Sequence, residues 1–125
     1  MNGRQSHFET SIEYFEQALE LSRAVNDQLG VGNTLMTLGH TYLQIKRDDK
    51  AIEYYNQALA IFRAAKYRVG EANTLNALAN TYNNLSQYEK AIDCYEQALA
   101  IFREVKYRSG EASSLNNLGL AHIRF

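Results

Sequence analysis

The segment from Ala51 to Arg63 recurs almost letter for letter from Ala91 to Arg103, changing only at Glu53/Asp93, Tyr54/Cys94 and Asn56/Glu96. A weaker copy occupies Ser11 to Arg23, so three copies share one spacing of 40 residues. A second block alternates with the first: Gly70, Glu71, Ala72, Leu75, Leu78 and Tyr82 are echoed at Gly110, Glu111, Ala112, Leu115 and Leu118. They are echoed more loosely at Gly30, Leu35, Leu38 and Tyr42. A translational period of this kind restricts the chain to a stack of supersecondary units, none of which buries its apolar side alone.

Both blocks have helical periodicity. Ala91, Ile92, Tyr95, Ala98, Leu99 and Phe102 follow steps of three and four, as do Ala72, Leu75, Leu78, Ala79, Tyr82 and Leu85. Each repeat therefore reads as an antiparallel pair, helix A from the second block and helix B from the first. Small residues at Gly39, Ala58, Ala79, Ala98 and Gly119 fall where helices cross closely, with Tyr55, Tyr82 and Tyr95 filling the adjoining space. The chain has no proline, so its helices must be closed by other means. Ser86 and Glu89 have capping-box spacing, which places one B-helix start near residue 87, and Asp48 is the candidate cap in the preceding repeat.

Leu38-Gly39, Tyr42, Ala51, Tyr55 and Ala58, followed by Leu78-Ala79, Tyr82, Tyr88, Ala91, Tyr95 and Ala98, resemble the small-and-large signature of tetratricopeptide repeats. The usual repeat of that family is about 34 residues, and Arg63 and Arg103 stand where it closes with proline. The longer copies are similar to those of spindle-orienting adaptors and kinesin light chains. The resemblance implies an all-α, right-handed α-solenoid of six helices in the order B, A, B, A, B, A. It would be one repeat domain spanning 1–125: a half repeat at 6–26, full repeats at 28–66 and 68–106, and a half repeat at 108–125.

In this family the A helices line the concave surface, so A-helix residues turned from the apolar stripe become candidates for contact with a protein or peptide ligand. They are Asn33, Thr37, His40 and Gln44, then Asn73, Asn76, Asn80, Asn83 and Asn84, then Asn116 and Asn117. An amide both donates and accepts, so a row of them can pair with the backbone of an extended segment without demanding particular side chains. The competing reading is a neutral, solvated helix face. Asparagine is a poor helix former, which makes its repetition costly on a face with no task. The inner positions of the two complete A helices are uncharged, unlike the family's clamp for C-terminal carboxylates.

Composition argues against several other functions. The 13 basic and 14 acidic side chains give a net charge of −1, which offers no signature of a nucleic-acid or polybasic membrane binder. Arg63, Lys66 and Arg68, repeated as Arg103, Lys106 and Arg108, cluster where B helices end; there positive charge offsets the helix dipole. His7, His40 and His122 lie on different repeats without carboxylates at ligand spacing, so no catalytic, metal or cofactor site is expected. Cys94 is the single cysteine and the N-terminus shows no basic-then-apolar signal pattern, which favours a reducing, cytoplasmic setting; no apolar run is long enough to span a bilayer.

The half repeats at the two ends suggest a second activity. Phe8, Ile12, Phe15 and Leu19 have the pattern of a B helix lacking its A helix, and Leu115, Leu118 and Phe125 that of an A helix lacking its B helix. Pairing of these ends between chains would build a homo-oligomer, either head-to-tail or as a swapped dimer.

Overall fold

A computed structural model describes residues 3–124 of the chain, with side chains described from His7; Phe125 lies outside the described residues. They form six α-helices: α1 (Gly3–Ala24), α2 (Gln28–Gln44), α3 (Asp48–Ala64), α4 (Arg68–Asn84), α5 (Tyr88–Glu104) and α6 (Arg108–Arg124). There is no strand among the described residues. Helices α1, α3 and α5 are the B helices of the sequence pattern, and α2, α4 and α6 the A helices. From α2 onward every helix has 17 residues, so the longer period is shared equally between A and B.

Left-handed residues stop these helices in place of proline. Asn26, Lys46, Lys66, Ser86 and Lys106 have φ between 56° and 64° and recur every 20 residues. After α2, the Lys46 N–H donates to Leu43 O at 3.1 Å and the Arg47 N–H to Tyr42 O at 2.9 Å. The same pair of bonds follows α1, α4 and α5, and it satisfies carbonyls that the helix itself leaves unpaired. This closure overturns two expectations about caps. Ser86 is the left-handed residue, so the cap of α5 is Gln87, which makes no side-chain cap bond. Asp48 already lies in the first turn of α3, behind Arg47. Asp27 does cap α2 with its side chain, accepting from the Gly30 N–H at 3.0 Å, whereas α3, α4 and α5 start without a side-chain cap bond.

The chain divides into two compact units, Met1–Ala65 and Lys66–Phe125. In the first, Leu19, Val31, Leu35, Leu38, Ala58 and Phe62 form a buried cluster, with Ile12, Phe15, Met36, Tyr42, Tyr54 and Ile61 packed against it. Leu19 is thus only 7% exposed within its own unit. It is therefore not a free self-association residue, and Ile12 and Phe15 are free only in part. The physical reason is that a B helix has two apolar sides, and this side is met by α2. In the second unit, Ala79, Ala91, Tyr95 and Ala121 form the corresponding cluster, joined by Tyr82, Ile92, Cys94 and Leu118. Leu118 is likewise engaged at home, so of the two described α6 residues expected to self-associate Leu115 is the open one, at 45% exposure.

Candidate functional site: the amide face of the A helices

Helix α4 runs antiparallel to α5 and also touches α6, so its amide side borders a second A helix. Asn73, Asn80 and Asn84 are exposed, while Asn76 and Asn83 are half-buried. On α6, Asn116 is exposed and Asn117 half-buried. Two of these amides are tied down by neighbouring helices. The Tyr95 hydroxyl of α5 donates to Asn80 Oδ1, and the Ser114 hydroxyl of α6 donates to Asn76 Oδ1 at 3.2 Å. Each bond uses the amide oxygen, so the N–H2 group is not the partner in it. Asn83 Oδ1 is buried without a hydrogen-bond partner.

Helix α2 shows the same device with different chemistry. The Tyr55 hydroxyl lies 2.5 Å from His40 Nδ1, 15 residues apart as are Tyr95 and Asn80, and the His40 and Tyr55 rings meet edge-on at 5.3 Å. Burial holds His40 below the ordinary histidine pKa, so the ring is neutral near pH 7. Burial also pushes the Tyr55 and Tyr95 hydroxyls up to about 12, so both remain protonated donors at neutral pH. Around them, Asn33 and Gln44 are exposed, and Thr37 is half-buried with its hydroxyl on the Asn33 carbonyl at 2.9 Å. His40 and Asn80 are therefore anchors of their hairpins as well as candidate contacts. Their partners Tyr55 and Tyr95, and the Ser114 that bonds Asn76, were not among the expected site residues. For the two tyrosines the sequence signal was the fixed offset of 15 between a polar A position and a B tyrosine.

The arginines Arg68, Arg103 and Arg108 of the basic clusters are paired with carboxylates. Arg68 Nε and Nη2 grip the two Glu104 oxygens at 3.0 Å each, and its Nη1 reaches Glu71 at 2.7 Å. Arg103 and Arg108 both donate to Glu111, at 3.1 and 3.0 Å. The guanidinium of Arg68 holds Glu104 below the ordinary carboxylate pKa, and that of Arg103, with Arg108, does the same to Glu111. The Arg68–Glu104 and Arg103–Glu111 pairs fasten consecutive helices. Among the described residues no group of three His, Cys, Asp or Glu could hold a metal ion, and no helix is long and apolar enough to cross a membrane.

The tetratricopeptide repeat profile matches residues 3–64 and 70–125. The chain belongs to the tetratricopeptide repeat family. No curated protein sequence matches it significantly. Among solved structures it is similar to BtubC (BKLC) from P. vanneervenii, at 26% identity and a TM-score of 0.87, covering 96% of this chain and 50% of that one. It is also similar to a signal-transduction ATPase with a tetratricopeptide repeat sensor from Pyrococcus horikoshii (25%, TM-score 0.84, covering 93% and 18%). A kinesin light chain with nearly identical repeats from Podosopora anserina shares the fold at 17% identity, with a TM-score of 0.77 and coverage of 97% and 60%. The chain thus spans half or less of the first two relatives. Tetratricopeptide repeats are protein-interaction modules, and protein partners are what this fold offers.

Proposed function

We propose that the chain is a non-enzymatic scaffold that holds an extended peptide segment on its A-helix amide face. The observation that carries this reading is the uncharged row on α4, Asn73, Asn76, Asn80 and Asn84, bordered by Asn116 on α6. Its exposed members offer donors and acceptors to a peptide backbone, while the hydroxyls of Tyr95 and Ser114 hold two of the amides in position. Preorganised polar groups lower the ordering cost of binding. In the first unit, the α2 group of Asn33, Thr37, His40 and Gln44 is a candidate peptide contact in its own right. A reducing, cytoplasmic setting suits a chain whose single cysteine is Cys94. Selection of linear peptides from a displayed random library, followed by affinity measurement on the Asn73→Ala/Asn84→Ala variant, tests it. These two side chains are exposed and make no hydrogen bond to the described chain, so the fold is left intact. Loss of about tenfold or more is expected, the worth of one or two hydrogen bonds. Unchanged affinity for every selected peptide would sink the reading.

A second reading, self-association through the two end helices, draws support from their exposed apolar residues. Tyr14, Leu21 and Val25 on α1, and Leu115, Leu120 and Ile123 on α6, all stand in solvent. Sedimentation over a concentration series tests it, and a strict monomer at the highest attainable concentration would remove it.

A further inference from the structure

The turns that lead from a B helix into the next A helix are built in two ways. After α1 the turn is Asn26-Asp27: asparagine tolerates the left-handed backbone at φ 57°, and Asp27 caps α2 from its side chain. After α3 and α5 the same two places hold Lys66-Tyr67 and Lys106-Tyr107, each followed by arginine. The lysines sit at φ 56° and 59°, where a side chain is disfavoured, and α4 starts behind Tyr67 with no side-chain cap bond. Both later turns thus forgo a stabilising pair that the first one uses, and they forgo it in the same way.

Helix closure does not call for these lysines. Positive charge at the end of each B helix is already supplied by Arg23, Arg63 and Arg103, in the last turns of α1, α3 and α5. The third left-handed lysine, Lys46, precedes Arg47, Asp48 and Asp49, so the charges of that turn cancel, and no ring follows it.

The two lysine-tyrosine turns share one edge of the second unit. Arg68, beside Tyr67, grips both Glu104 oxygens at 3.0 Å, and Glu104 stands two residues before Lys106. The Tyr107 ring leans on Phe102, 5.6 Å between centroids, and remains 48% exposed; Tyr67 is 41% exposed. Arg68 and Arg108 are held by Glu71, Glu104 and Glu111, whereas among the described residues no carboxylate pairs with Lys66 or Lys106, and both lysines are exposed. The edge therefore presents two unpaired cations, each next to a partly exposed ring, on a base tied together by ion pairs.

We propose that this edge docks an acidic segment of a partner protein, one whose carboxylates alternate with aromatic or aliphatic side chains. Carboxylates meet Lys66 and Lys106, and the apolar side chains between them lie on the Tyr67 and Tyr107 rings. A nucleic acid fits less well, because two unpaired cations neutralise too few phosphates to hold a strand against salt. The Glu104 carboxylate between the turns also repels a continuous phosphate row, whereas carboxylates spaced by apolar residues can straddle it.

Fluorescence anisotropy of the full chain tests the assignment with a labelled peptide of about ten residues, glutamates interspersed with phenylalanines, extended at roughly 3.3 Å per residue. The controls are the same peptide with glutamine for glutamate and a single-stranded oligouridylate of the same length. Saturable binding of the acidic peptide that weakens with added salt is expected, with both controls at least about tenfold weaker. Lys66→Asn/Lys106→Asn copies the first turn at its left-handed residue. It should keep or raise the thermal midpoint while weakening the acidic peptide about tenfold, as loss of two exposed ion pairs would. A purely structural role for the lysines would not move stability and binding in opposite directions. Lys46→Asn, the same change on the turn without a ring, should leave binding unchanged. The assignment is overturned by absence of binding, by equal binding of the glutamine peptide, or by preference for the oligouridylate. It is overturned equally by an undiminished affinity in the double variant or by the same loss in Lys46→Asn.

Discussion

Helices α4 and α6 carry nearly the same apolar stripe, and their surroundings treat it in opposite ways. Leu75 is 2% exposed and Leu115 45%; Ala79 is fully buried, while Gly119 faces open space. The difference lies in the neighbour: α4 has α5 folded against it, and α6 presents that side to solvent. In a repeat protein the amphipathic pattern states which face seeks a partner, and only the neighbouring helix turns that preference into stability.

The comparison can be broken by truncating matched leucines. Leu75→Ala should cost about 2–5 kcal/mol in urea unfolding. Leu115→Ala, made at dilute concentration, should stay within about 0.5 kcal/mol, and equal losses would mean that α6 is as well packed as α4. Glycine substitutions sharpen the contrast at the crossing points. Gly39→Ala drives a methyl into the Tyr55 ring and should destabilise by about 1–3 kcal/mol. Gly119→Ala should stabilise the dilute chain by about 1 kcal/mol through helix propensity alone. A smaller effect is expected from Tyr95→Phe, which removes the donor to Asn80 and should cost about 0.5–1.5 kcal/mol in thermal unfolding.

The smallest effect separates the His40 and Asn80 anchors by pH. With its folded pKa below the ordinary histidine value, His40 contributes fully above the unfolded pKa of about 6.5. Below that pH the unfolded chain takes up the proton first, so stability declines toward the folded pKa. His40→Asn, which copies the Asn80 arrangement, should flatten that decline in unfolding measured between pH 7 and pH 5. Persistence of the same slope would assign it to other groups.

Helix type, order and period were legible in the sequence, because steps of three and four repeated at 40 residues admit few other readings. The caps were not. Ser86 and Asp48 are good capping residues by composition, but a left-handed residue at each junction moves the helix start past Ser86 and leaves Asp48 inside the first turn. Side-chain choice alone does not reveal that backbone geometry, since lysine occupies three of the five left-handed positions. The amide face was legible as a list of residues on A helices, whereas its wiring was not. That Asn80 answers to Tyr95 and Asn76 to Ser114 depends on which helices lie beside α4. Leu19 was misjudged for a related reason: a B helix has two apolar sides, and the pattern does not say which is already covered.

The central claim is that the α4 amide face receives an extended segment, and side-chain amide NMR of the chain titrated with a library-selected peptide tests it most directly. The account predicts saturable shifts concentrated at Asn73, Asn80, Asn84 and Asn116, with the exposed side chains of α5 unmoved. Binding that shifts the α5 surface and leaves those four amides in place would contradict it.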